Sequence, residues 1–307
     1  MLTWRRPSTA QFLLLCIFSI MAVVAAQAVD AADAAKAQLA KLSAKEFQQL
    51  QAQASRGNRD AEAALGVAYE EGVRVRKDMT EAVNWYRRAA EHGKVEAQHR
   101  LGLLYEEGHG VAQSFVEAAA WYQKAAALGY APSQCNLGNL YHDGRGVSRD
   151  LEQAAKWYEV AARSGDAQAQ SNIGYLYDHG EGVVQDDQQA VLWYRKAAAQ
   201  GFALAERNLG VMYALGRGVE ADEQEAIRWF EKAAAQGQAR ASVNEAILYM
   251  QGKQIAHDYQ QAYTLLQQAV AAGEQEAKPL LQQCRRNLQQ GEATSTASAS
   301  APRHQHD

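Results

Sequence analysis

Cysteine is nearly absent from this chain, three residues in 307, so stability has to come from packed side chains rather than from a framework of disulfides. Nor is there an excess of basic charge. Lys and Arg number 31 against 35 Asp and Glu, the formal net charge is -4, and the charges are interspersed, which offers no basic face to nucleic acid. Catalytic motifs of recognisable spacing are missing too: there is no His-Glu-x-x-His helix, no Gly-x-Ser-x-Gly elbow and no Ser-x-x-Lys pair. The one long apolar run, Phe12–Val24, falls short of the roughly 20 residues that a membrane span needs.

That run has a role of its own. Arg5 and Arg6 precede it and Ala26-Gln27-Ala28 follows as a small-x-small site, the layout of a secretory signal peptide over residues 1–28, cleaved after Ala28. The alternative is an uncleaved anchor. Cys16 follows the bulky Leu15 inside the run, where a lipoprotein motif wants a small residue, and Trp4-Arg5-Arg6-Pro7 lacks the surroundings of a twin-arginine signal. The expected location is the periplasm or the exterior, with no membrane insertion of the mature chain.

What the chain has in abundance is repetition. Glycines at 57, 93, 129, 165, 201, 237 and 273 mark a 36-residue ruler, and within it Gly66, Gly102, Gly138, Gly174 and Gly210 recur, as do six tyrosines from Tyr69 to Tyr249 and five tryptophans from Trp85 to Trp229. A fixed period in this range marks a solenoid whose units bury apolar faces against their neighbours. In each unit Ala61, Ala64, Leu65, Ala68 and Tyr69, or their counterparts, form a helical stripe. Glycine loops such as Gly108-His109-Gly110 close that helix. A second helix starts at a capping box: Asp78 with Glu81, Ser114 with Glu117, Asp150 with Gln153, Asp186 with Gln189, Asp222 with Glu225, Asp258 with Gln261. Ala82, Trp85, Tyr86, Ala89 and Ala90 make its apolar face.

The pattern Leu101-Gly102-x-x-Tyr105-x-x-Gly108-x-Gly110-Val111, followed by Ala118-x-x-Trp121-Tyr122-x-x-Ala125-Ala126-x-x-Gly129, resembles the SEL-one-like repeat, a relative of the tetratricopeptide repeat. The resemblance covers residues 57–273. It implies an all-α, right-handed α/α superhelical solenoid of six helix-turn-helix units that serves protein–protein interaction as an adaptor or regulator, with no family-wide catalytic site. The last unit departs from the pattern at Ala246, Gln254 and Leu265, as a terminal repeat does. Residues 29–56 read as an N-terminal capping helix started by Ser43 and Glu46, residues 274–290 as a C-terminal capping helix, and residues 291–307 as a disordered tail. Cys135 and Cys284 are four repeats apart, too far for a bridge, so free thiols are expected. This layout also differs from the cysteine-paired branch of the family.

Residues that vary within the fixed frame are the candidates for function. On the first helices, at spacings of three and four, one face collects Asp60, Glu70, Glu96, His99, Glu106, Asn139, His142, Ser171, Tyr175, Asp178, Arg207, Val211, Arg240, Val243, Ile247 and Met250. In helical solenoids the first helices line the concave side, so this stripe, acidic at one end and apolar at the other, is the expected docking face for a protein or peptide. The competing reading assigns its apolar residues to packing between repeats. A ladder of Asn136, Asn172, Asn208 and Asn244 is better read as bonds between neighbouring repeats than as a peptide clamp. His142, Asp143, Asp178 and His179 sit close in adjacent repeats, yet no metal and no cofactor is expected. The Gly-x-Gly loops follow helices rather than strands, unlike phosphate cradles. The chain is thus expected to be an exported, non-catalytic, monomeric scaffold. The alternative is an envelope or secreted hydrolase with an active site in the groove.

Overall fold

The computed structural model describes residues 34–299, with side chains through residue 290. The expected signal peptide and residues 300–307 lie outside the described residues. Those that are described form helices and connecting turns, with no strand among them. A first helix, α1, covers residues 34–41. It is followed by α2 (Ala44–Ser55), α3 (Arg59–Glu71), α4 (Met79–Glu91), α5 (Val95–Glu107), α6 (Phe115–Ala127), α7 (Ala131–Asp143), α8 (Leu151–Arg163) and α9 (Ala167–His179). Then come α10 (Asp187–Ala198), α11 (Ala203–Leu215), α12 (Glu223–Ala235), α13 (Ala239–Gln251), α14 (Tyr259–Ala271) and α15 (Ala277–Ala299). The chain divides into two compact units, Met1–Gln185 and Asp186–Asp307. In the first, each helix from α2 to α9 packs on the next in sequence; in the second, α10 to α15 do the same. This serial packing is the all-α solenoid expected of the repeats.

Two helices rather than one stand at the N-terminal end. Ser43 breaks the run and starts α2 with a complete capping box: its Oγ accepts from Glu46 N at 3.3 Å, and its own N–H donates to Glu46 Oε2 at 2.7 Å. The second helices of the repeats keep only half of that device. Asp78, Ser114, Asp150, Asp222 and Asp258 accept from the first-turn amides, but their own N–H donates to the carbonyl of the tyrosine ending the preceding first helix, as Asp78 does to Tyr69 at 2.9 Å and Ser114 to Tyr105 at 2.9 Å. The reciprocal acidic arm has no amide left to take.

Two close approaches explain the invariant frame. A Cβ on Gly102 would lie 2.4 Å from Cε1 of the Tyr122 ring, and one on Gly66 or Gly138 would lie 2.6 Å from the rings of Tyr86 or Tyr158. The first helix therefore offers bare backbone as the seat of an aromatic ring. In the last repeat Ala246 replaces the glycine and the smaller Leu266, fully buried, replaces the ring. The second loop glycine meets backbone instead: at Gly146, with φ +69, a Cβ would lie 2.2 Å from the Phe115 carbonyl carbon. Repeat six has Gln254 there, and Glu223 at the head of α12 holds the loop by accepting from Lys253 N at 2.8 Å, Gln254 N at 2.8 Å and Ile255 N at 3.2 Å. In repeat one the position is Arg74, with φ 66, whose Nη2 donates to the Ala40 carbonyl at 3.2 Å.

Helix α15 continues past Gln290 to Ala299. Cys135 and Cys284 are both free and buried.

Candidate functional site

In the first unit the stripe on the first helices is a row of polar rungs at the joints between repeats. Tyr86, seated on Gly66, donates through its hydroxyl to Glu70 Oε2 at 2.7 Å, and Arg100 of the next repeat closes an ion pair on the same buried carboxylate. The second rung repeats the logic. Tyr122 donates to Glu106 Oε2 at 2.8 Å, while Arg145 reaches Glu106 Oε1 at 3.3 Å and Asp143 Oδ2 at 3.0 Å. Burial lifts the Glu106 carboxyl above its ordinary range, against the pull of Tyr122 and Arg145. In the third rung Asn139 Oδ1 accepts both from the Tyr158 hydroxyl at 2.8 Å and from Asn172 Nδ2 at 3.1 Å. His142 closes the row, with Nδ1 2.9 Å from Asp143 Oδ1 and Nε2 3.3 Å from Glu181 Oε2.

Asp60 and Glu96 are the exposed acids of this face, and Lys94 Nζ stands between them, 2.8 Å from Asp60 and 3.4 Å from Glu96. The Lys94 contact holds the Asp60 carboxyl below its usual value. His99, in contrast, is buried 2.9 Å from Ser133 Oγ and against the Tyr122 and Tyr130 rings, and burial pushes its pKa down to about 4. Ser171, Tyr175 and Asp178 are buried as well, and Tyr175 stacks on His179 with ring centroids 4.0 Å apart. His179 Nδ1 is 3.0 Å from the Tyr175 carbonyl. The four residues considered for a metal thus engage protein partners, and no group of three or more His, Cys, Asp or Glu among the described residues is arranged to hold an ion.

In the second unit the stripe keeps Arg207 and Arg240 but is otherwise apolar, and its residues are buried or half-buried. Val243 and Met250 are buried in a core cluster with Leu266 and Cys284, against which Ile247 packs, and Val211 packs on the cluster around Phe230. Val243 and Met250, expected to receive a partner, are covered by this chain's own side chains because the terminal repeat needs them as core, whereas Ile247 and, in repeat five, Val211 are half-buried. Arg207 is half-buried with Nη1 3.4 Å from Asn208 Oδ1, and Arg240 pairs with Glu274 at 3.5 Å and Glu276 at 2.6 Å, tying α13 to the start of the C-terminal cap.

Sequence reading missed Arg100, Arg145, Glu181 and the tyrosine hydroxyls. A signal was available. The ring sixteen residues after Glu70 and Glu106 is tyrosine, whereas after Ala214 it is Phe230 and after Met250 it is Leu266, so the hydroxyl occurs where a polar partner occurs. In the asparagine ladder Asn172 bonds Asn139 of the preceding repeat, whereas Asn208 accepts from Arg207 of its own helix and Asn244 Nδ2 is buried without a hydrogen-bond partner among the described residues. On the second helices, cations lie over the tryptophans, with Lys124 Nζ 3.6 Å from the Trp121 ring centroid, Lys196 3.8 Å from Trp193 and Lys232 3.9 Å from Trp229.

The Sel1 repeat pattern matches residues 59–94, 95–130, 131–166, 167–202, 203–238 and 239–274 without a gap. The chain belongs to the Sel1 repeat family. Among solved structures it is similar to a protective antigen of uropathogenic Escherichia coli strains that displays an SLR fold, at 38% identity and a TM-score of 0.71 over 76% of this chain. It spans only 50% of that antigen's length. A Sel1 repeat protein from Oxalobacter formigenes is 36% identical with a TM-score of 0.63, the match covering 70% of this chain and 89% of that one. No curated protein matches the chain. Sel1 repeat proteins are scaffolds that generally serve protein–protein interaction, and among the described residues no helix is long and apolar enough to cross a membrane.

Proposed function

We propose that this Sel1 repeat chain is an exported, non-catalytic scaffold of the cell envelope that binds a protein or peptide on the first-helix face of its first unit, as an adaptor or regulator. The observation that carries the reading is the row of joint rungs. Helix contacts that apolar side chains could satisfy are instead built from Glu70 with Arg100, Glu106 with Arg145 and Asn139 with Asn172, all half-buried or buried beside the exposed Asp60 and Glu96. Such groups are costly to bury and rigid once paired, so they present fixed hydrogen-bonding edges at repeat spacing. The exposed acids favour a partner with basic residues toward repeats one and two, steered by charge. Export is supported by Arg5, Arg6, the run Phe12–Val24 and Ala26-Gln27-Ala28.

The test is affinity capture from an envelope extract with wild-type protein and with Asp60→Lys, Glu96→Lys. A partner retained by the first and lost by the folded variant supports the reading. Equal retention places binding elsewhere, and turnover of an envelope polymer by the purified chain would favour a hydrolase.

A further inference from the structure

One buried acid takes no part in the rungs. The core position filled by Leu65, Leu101, Leu137, Ile173 and Leu209 in the first five repeats is Glu245 in the sixth. The five aliphatic residues are buried, and Glu245 on α13 is 3% exposed. No described residue donates a hydrogen bond to its carboxylate or forms an ion pair with it. The charge that acts on it is of the same sign: Glu231 on α12, at a position held by Arg87, Gln123, Glu159 and Arg195 in repeats one to four. Those arginines donate to Tyr105 at 2.9 Å and Tyr213 at 2.7 Å. The matching Tyr249, one turn beyond Glu245 on α13, instead feels Glu245, Glu231 and Asp258 at the head of α14. At this joint the slot that is aliphatic in the other repeats holds a glutamate, and the facing α12 position, an arginine in repeats one and four, holds another.

We propose that Glu245 makes the sixth repeat a proton-controlled element, seated as the neutral acid in the leucine slot and loosened from α12, together with α14, when the carboxyl ionises. An ionised carboxylate without a donor is expensive to bury, and Glu231 adds repulsion. Burial, followed by Glu231, pushes the Glu245 pKa up to about 7. The folded state therefore holds a proton that the unfolded state releases between the ordinary carboxyl range and pH 7. Stability of this repeat falls as pH rises through that window and is flat above it.

Hydrogen exchange of the full chain, corrected for the intrinsic pH dependence of amide exchange and read in α13 and α14, tests this directly. The local readout also separates the effect from groups in the first unit. Opening at pH 8 should exceed that at pH 5.5 by about tenfold, with about thirtyfold as the ceiling set by the full shift before solvent screening. Glu245→Gln keeps the shape without the titration and should flatten the profile, and Glu245→Leu should give the slowest exchange at both pH values. A wild-type profile that is flat, or one that Glu245→Gln reproduces, overturns the proposal even if the leucine variant fails to fold.

Discussion

Replacing Gly102 with alanine should destabilise the first unit, although alanine is the better helix former. In an open helix the change gains about 1 kcal/mol. Here the new Cβ lies 2.4, 2.5 and 3.1 Å from three atoms of the Tyr122 ring, well inside the 3.5–4.0 Å of a good carbon contact. The ring cannot swing aside, being fully buried and tethered by its hydroxyl to Glu106 at 2.8 Å. Overpacking of this kind costs about 1–3 kcal/mol, and the intruding atom lies at the tight end of such contacts, so the net loss should be about 1–2 kcal/mol once the helix gain is subtracted. The sixth repeat supplies the compensating partner, Leu266 against Ala246. Tyr122→Leu alone should cost about 2–4 kcal/mol as a cavity with a carboxylate left short of a donor. Combined with Gly102→Ala it should cost less than the sum, with a coupling energy of about 1 kcal/mol or more. Urea unfolding of the four proteins by circular dichroism, with fluorescence as a second probe of cooperativity, gives the cycle. A stabilised Gly102→Ala, or strict additivity, would refute the view that glycine is there to seat the ring.

Other changes grade by environment. Trp121, buried against the Leu101 and Leu104 cluster, should cost about 3–4 kcal/mol on truncation to alanine, more than the half-buried Trp157, while Lys124→Ala over the same ring should stay within about 1 kcal/mol. Glu223→Gln should speed amide exchange at Lys253 and Gln254, since it weakens the acceptor for three loop N–H groups, and a loop unchanged in exchange would show that Glu223 does not hold it. His99 predicts an acid-side effect. Its folded pKa of about 4 lies below the ordinary value of about 6.5, so its contribution is complete above pH 6.5 and is lost as pH falls toward 4, up to about 3 kcal/mol. His99→Gln should shrink that slope in pH-dependent unfolding of the first unit.

Much of this fold was written in the sequence because a repeat states each rule several times. The glycine ruler, the αL helix ends at Gly108 and Gly144 and the aspartate caps all lie where the period puts them. Side-chain partners were less legible. Arg100 and Arg145 act on the preceding repeat, some 30 to 40 residues away, and nothing in local spacing distinguishes them from solvated arginines. The apolar end of the stripe was misleading for a related reason: three-and-four spacing fixes which residues share a helix face, whereas cover depends on the neighbours, and around Val243 and Met250 these are α14 and α15. Glu245 went unremarked because its position reads as one more polar residue until the leucines at the same place are seen to be core.

The most direct test of the scaffold reading is backbone exchange of the chain alone and bound to its captured partner. The account predicts protection along α3, α5 and α7, where Asp60, Glu96 and Asn139 stand, and slower association as salt is raised. Protection confined to the second helices α4, α6 and α8, with the first helices unchanged, would contradict it.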